Sequence, residues 1–80
     1  MFEKVIELVI SERTFQDHKF GEINKNNTPK DWLPILMEEV GEVAKAIQIK
    51  DYDNLRLELI QVAAVSIQWL EHIYAKESTK

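Results

Sequence analysis

The stretch Val62-Ala63-Ala64-Val65-Ser66-Ile67-Gln68-Trp69-Leu70 is apolar on nearly every side of the helix its pattern describes. A helix that is apolar all round must be surrounded by other chain. With eighty residues, little is left to surround it. A chain of this size buries only about 60% of the surface its unfolded form exposes, so its own core is marginal. There is no cysteine, which removes disulfides and thiolate metal sites as staples. Oligomerisation is the remaining common remedy. The expected fold is therefore all-α. It is one domain over residues 1–80, an antiparallel bundle of three main helices completed by a second copy, as a dimer or tetramer.

The rest of the chain supplies two further helices. Phe2, Val5, Ile6, Val9 and Ile10 recur at helical spacing, so residues 2–14 read as a first amphipathic helix. The pairs Val5-Ile6 and Val9-Ile10 would also suit a strand, but Glu3, Glu7 and Glu12 interrupt strict alternation. Residues 16–30 are polar, contain Gly21 and end in an Asn-rich run before Pro29, which reads as a loop. Phe15, Phe20 and Ile23 suggest that part of this segment folds back onto the helices. The second helix starts with Asp31 as N-cap, or with Thr28 followed by Pro29 and by Asp31 three residues on. It runs to about Lys50 with two stripes: Leu33, Leu36, Val40, Val43 and Ile47 form one, and Ile35, Glu39, Glu42, Ala46 and Ile49 form the other. A turn at residues 51–54 leads to the third helix, which extends to about Ala75. The tail from Lys76 to Lys80 is expected to fray.

Composition excludes several functions. Hydrophobic residues make up 45% and charged residues 30%, which suits a folded chain rather than a disordered one. The net charge of −4, with scattered lysines and arginines, argues against nucleic-acid binding, because that depends on neutralising phosphates. It also disfavours a DNA-binding helix-turn-helix. No apolar run is long enough to span a bilayer, and Met1-Phe2-Glu3-Lys4 lacks the basic start of a signal peptide. The expectation is a cytoplasmic protein.

The chemistry-bearing pattern is Glu38-Glu39-x-x-Glu42, followed by Glu58-x-x-Gln61. Residues three and four apart are helix neighbours. A short turn makes the second and third helices antiparallel, so Glu58 faces the region of Glu42. Three carboxylates and one amide then share a pocket. The plain alternative is a solvated face, since like-charge pairs on an exposed helix cost only about 0.2–0.5 kcal/mol each. Glu39 and Glu42 nevertheless occupy a stripe that otherwise holds small or apolar residues, and carboxylates beside a core need a partner. Neither His18 nor His72 completes a Glu-x-x-His motif, which argues against a di-iron site. An all-oxygen donor set suits Mg²⁺ or Mn²⁺, and Mg²⁺ typically binds a few carboxylates together with substrate phosphates.

The segment from Trp32 to Ile47, with its Glu-Glu-x-x-Glu and Gly41, resembles the first motif helix of the MazG-like nucleotide pyrophosphohydrolases. These are all-α enzymes related to dimeric dUTPases and phosphoribosyl-ATP pyrophosphohydrolases. Residues 12–21 and 54–65 are similar to a short, often phage-associated branch. The resemblance covers roughly residues 11–73. It implies Mg²⁺-dependent hydrolysis of a nucleoside triphosphate to the monophosphate and pyrophosphate. Carried over by position, Glu39, Glu42 and Glu58 would hold the metal, with Gln61 at the fourth ligand position. Glu38 would orient or deprotonate the attacking water.

Two departures bear on this. Gln61 replaces the family's aspartate and removes one anionic ligand. The chain also lacks the fourth helix of the usual subunit, so the pocket is expected to borrow from a partner or be incomplete. Trp32 is a candidate for stacking on a base, with a buried anchor as the plain reading. Lys19 and Lys45 are candidates for meeting phosphates, with solvated surface as the plain reading. Gly41 reads as a site of close helix packing, His72 as a surface residue, and Trp69 and Tyr74 as core or interface. A reading of a different class is a non-catalytic helical oligomer that binds nucleotide or a protein partner.

Overall fold

The computed structural model describes residues 1–78. Its elements are α1 (Phe2–Asn24), α2 (Pro29–Gln48) and α3 (Tyr52–Ser78). Among the described residues there is no strand. α3 packs against both other helices, whereas α1 and α2 do not approach each other within 8 Å between Cα atoms. A cleft is therefore left between α1 and α2, and α3 forms its floor.

The first helix is much longer than its apolar pattern predicts. The loop expected over residues 16–30 shrinks to the connection from Lys25 to Thr28. The polar residues in this segment support a helix rather than break it. Arg13 pairs with Asp17 one turn on, and Lys25 pairs with Glu22. Such pairs each stabilise a helix by about 0.2–0.5 kcal/mol, enough to offset part of the roughly 1 kcal/mol cost of Gly21. Two polar links tie this extension to α3: Arg13 to Glu71, and Gln16 Nε2 donating to Gln61 Oε1 at 3.1 Å.

α2 begins at Thr28 and not at Asp31. The Asp31 carboxylate accepts from the Thr28 backbone N–H at 2.8 Å and from its hydroxyl at 2.9 Å, and these bonds hold the Asp31 carboxyl below its ordinary pKa. Pro29 fills the first helical position, where no N–H is needed. At the other end, Lys50 turns the chain at φ 60°. The Asp51 N–H bonds Ala46 O and the Lys50 N–H bonds Ile47 O, the paired bonds of a Schellman termination. Asp51 then caps α3 by accepting from the Asn54 N–H at 3.2 Å. α3 continues through Lys76 and Glu77, so the expected fraying does not begin there; Thr79 and Lys80 lie outside the described residues.

The core is thin. Its buried apolar residues are Val9, Trp32, Ala46, Ala64 and Val65. Trp32, 1% exposed, stacks on Trp69 at 6.4 Å between ring centroids, and His72 meets it edge-on at 5.0 Å. His72 is thus part of this cluster rather than a plain surface residue. On α2 the stripe carrying glutamates is the one turned inward. Of the apolar stripe, Leu33, Val40 and Ile47 look outward, whereas Leu36 and Val43 are half-buried. Gly41 is also exposed, and a Cβ added there would meet nothing within 4 Å. The close packing expected at Gly41 is therefore absent within this chain.

Candidate functional site

The cleft between α1 and α2 gathers the predicted carboxylates. α2 contributes Glu38, Glu39 and Glu42, and α3 contributes Glu58 and Gln61. The antiparallel α2–α3 hairpin brings them together as their spacing predicts, because each set lies on the helix face turned to the neighbour. The α1 wall was not foreseen. Glu12, Phe15, Lys19 and Phe20 complete a cavity of about 290 Å³. Their spacing of three, four and one carries a helical signal that the polar, Asn-rich composition of residues 16–30 masks.

Five carboxylates line this cavity against one ammonium, that of Lys19. Lys19 Nζ stands 5.1 Å from the Phe20 ring centroid and 5.7 Å from that of Phe15. The electrostatic consequence falls on Glu39. Burial, a hydrogen bond with Glu58, and the charges of Glu58, Glu38 and Glu42 raise its pKa to about 7. Glu39 therefore holds a proton that a bound cation would displace. The donors are all oxygen, which fits a hard divalent cation in kind. Among the described residues, no three acidic or histidine side chains are gathered tightly enough to grip a metal ion as they stand.

The remaining predicted residues are placed as follows. Gln61 lies on the cleft wall, but its carbonyl oxygen already accepts from Gln16, leaving one lone pair for anything else. Lys45 is exposed and lies outside the cleft lining. Trp32 is also outside it. It belongs to the aromatic cluster and borders a separate cavity of about 220 Å³ with Trp69 and His72.

A third cavity, of about 260 Å³, adjoins the acidic one and shares Phe20, Glu38, Glu39 and Gln61 with it. Its further lining is Gln16, Asn24, Ile35, Val65 and Gln68. Gln16 and Gln68 are buried, at 4% and 2% exposure. Neither stands out in the sequence. Gln16 sat in the supposed loop, and Gln68 sat in the apolar stretch with nothing to set it apart.

Among the described residues, no helix is long and apolar enough to cross a membrane. No curated protein and no solved structure matches the chain. Residues 27–69 match the family model of the MazG nucleotide pyrophosphohydrolase domain. The match spans more than half the sequence and takes in every carboxylate that α2 and α3 bring to the cleft. The chain therefore belongs to the MazG nucleotide pyrophosphohydrolase domain family.

Proposed function

We propose that the acidic cleft hydrolyses a nucleoside triphosphate to the monophosphate and pyrophosphate with the help of Mg²⁺, or Mn²⁺ in its place. The observation that carries this reading is the gathering of Glu12, Glu38, Glu39, Glu42 and Glu58 around one cavity, against the single ammonium of Lys19. A cleft with that charge balance repels a polyphosphate and attracts a cation. Glu39, Glu42 and Glu58 would hold the metal, with Gln61 as a neutral fourth donor. When bound, the metal offsets charge on the phosphate oxygens and on the leaving group.

The chain's own residues do the remaining work. Glu38, exposed and bordering both cavities, takes a proton from the attacking water. The water oxygen bonds to phosphorus, and the α–β anhydride bridge breaks with its electron pair on the leaving oxygen. Lys19, steadied over two aromatic rings, meets the phosphates at the α1 wall. Lys45 and Trp32 have no part in this reading, given their positions. The working form is a homo-oligomer, supported by the outward apolar stripe of α2.

Turnover should require Mg²⁺ and vanish in Glu42→Ala; activity in that variant equal to the wild type would overturn the assignment. One observation favours a second reading, a weak or silent helical oligomer that binds nucleotide or a protein partner. Gln61 is uncharged and already engaged by Gln16. Substituting Gln61→Asp separates the two readings. Tighter Mg²⁺ binding with raised turnover marks a weakened enzyme site, and no turnover in either form marks the silent oligomer.

A further inference from the structure

We infer that the cavity beside the acidic cleft receives the nucleobase of the substrate, with the carboxamides of Gln16 and Gln68 reading its hydrogen-bonding edge. This rests on the reading of the acidic cleft as a triphosphate site. Both side chains are more than nine-tenths buried and both line the cavity. Gln16 Oε1 and Gln68 Nε2 have no hydrogen-bond partner. Buried carboxamide atoms are nearly always paired, so an unpaired acceptor and an unpaired donor on side chains that line one cavity mark a place where a turn of each amide toward the cavity lets a ligand supply the complement.

The complement is one donor and one acceptor on a flat ring. Nucleobases present that pattern along their pairing edges, and base-reading pockets combine such hydrogen bonds with apolar surfaces against the ring faces. Here Phe20, Ile35 and Val65 supply the apolar surfaces. At about 260 Å³ the cavity lies below the usual range for a site that encloses a drug-sized ligand, which suits one heterocycle rather than a whole nucleotide.

The position also agrees. Gln61 and Gln68 are seven residues apart on one face of α3, about 10 Å along the axis. Gln61 borders both cavities, so a base against Gln68 directs its phosphates toward Glu38 and Glu39. The indole N–H groups of Trp32 and Trp69 are also unpartnered, but these residues line the separate aromatic cavity and take no part.

Two measurements on the full chain test this. The first compares kcat/KM for the four common nucleoside triphosphates in the wild type, Gln16→Met and Gln68→Met. The expected result is a fall of tenfold or more for the best substrate, a small change for the poorest, and hence a collapse of base selectivity. The second follows the side-chain amide NMR signals of Gln16 and Gln68 in the wild type as phosphate-free nucleosides are added without metal. Both signals should shift with the nucleoside whose triphosphate is preferred. Unmoved signals overturn the base cavity, as does unchanged selectivity in folded, active variants; the hydrolase reading survives either result. Absence of turnover in the wild type overturns the hydrolase reading instead, and the nucleoside titration still decides the cavity. Should the methionine variants fail to fold, that wild-type titration decides alone.

Discussion

Glu39 is the side chain on which the cleft's electrostatics converge. In the folded chain it takes up its proton near pH 7, against an ordinary value of 4.5. Between those values the folded state holds more protons than the unfolded one, so stability linked to this group declines as pH rises from about 4.5 through 7. Substituting Glu39→Gln should flatten that part of the pH profile. Urea unfolding of both proteins from pH 4.5 to 8 measures the difference, which should grow toward pH 8 in favour of the variant. Parallel profiles would mean that Glu39 titrates normally. The gathering of Glu39, Glu42 and Glu58 was legible from helical spacing and a short turn alone. Glu12, Gln16 and Gln68 were not, because a polar side chain turned inward carries no mark until the neighbouring helix is known. Trp32 shows the same limit, since an aromatic at a helix start has one pattern whether it stacks on a ligand or on Trp69.

The α2–α3 hairpin fixes the cleft, and its link carries a conformational cost. Lys50 sits at φ 60°, where a residue with a Cβ is disfavoured by roughly 1–2 kcal/mol. The greater freedom of glycine in the unfolded chain offsets part of any gain. Substituting Lys50→Gly should therefore stabilise the protein by about 0.5–1 kcal/mol, read as a higher urea midpoint at unchanged slope. Gly41 provides a second probe. A methyl group there meets open space in the chain, so Gly41→Ala should add about 1 kcal/mol of helix propensity. A loss of stability instead would place Gly41 against a partner subunit. The existence of α2 and α3 followed from periodicity and capping residues, and Thr28 with Asp31 marked one boundary. The length of α1 did not follow. Its second half is held by ion pairs within the helix and by polar links to Gln61 and Glu71, contacts that leave no hydrophobic period.

The whole chain is more extended than a self-sufficient domain. Its radius of gyration is 13.6 Å, against about 12 Å for a compact chain of this length. It exposes 6194 Å², against about 5,000 Å² for a compact monomer of this mass. The surplus is of the order that one partner contributes to a stable interface, about 800 Å². Leu33, Val40 and Ile47 form an apolar stripe within it. Sedimentation should thus give a dimer or tetramer, and the melting temperature should rise with protein concentration. A monomer with a concentration-independent melt would refute this. The chemistry of the cleft is read by phosphorus NMR of a nucleoside triphosphate incubated with the protein and Mg²⁺. Monophosphate and pyrophosphate should appear in equal amounts, with the rate cut by roughly 10²–10⁴ in Glu38→Gln. Orthophosphate with diphosphate, or no product beyond that of the Glu38→Gln variant, would contradict the proposed hydrolysis.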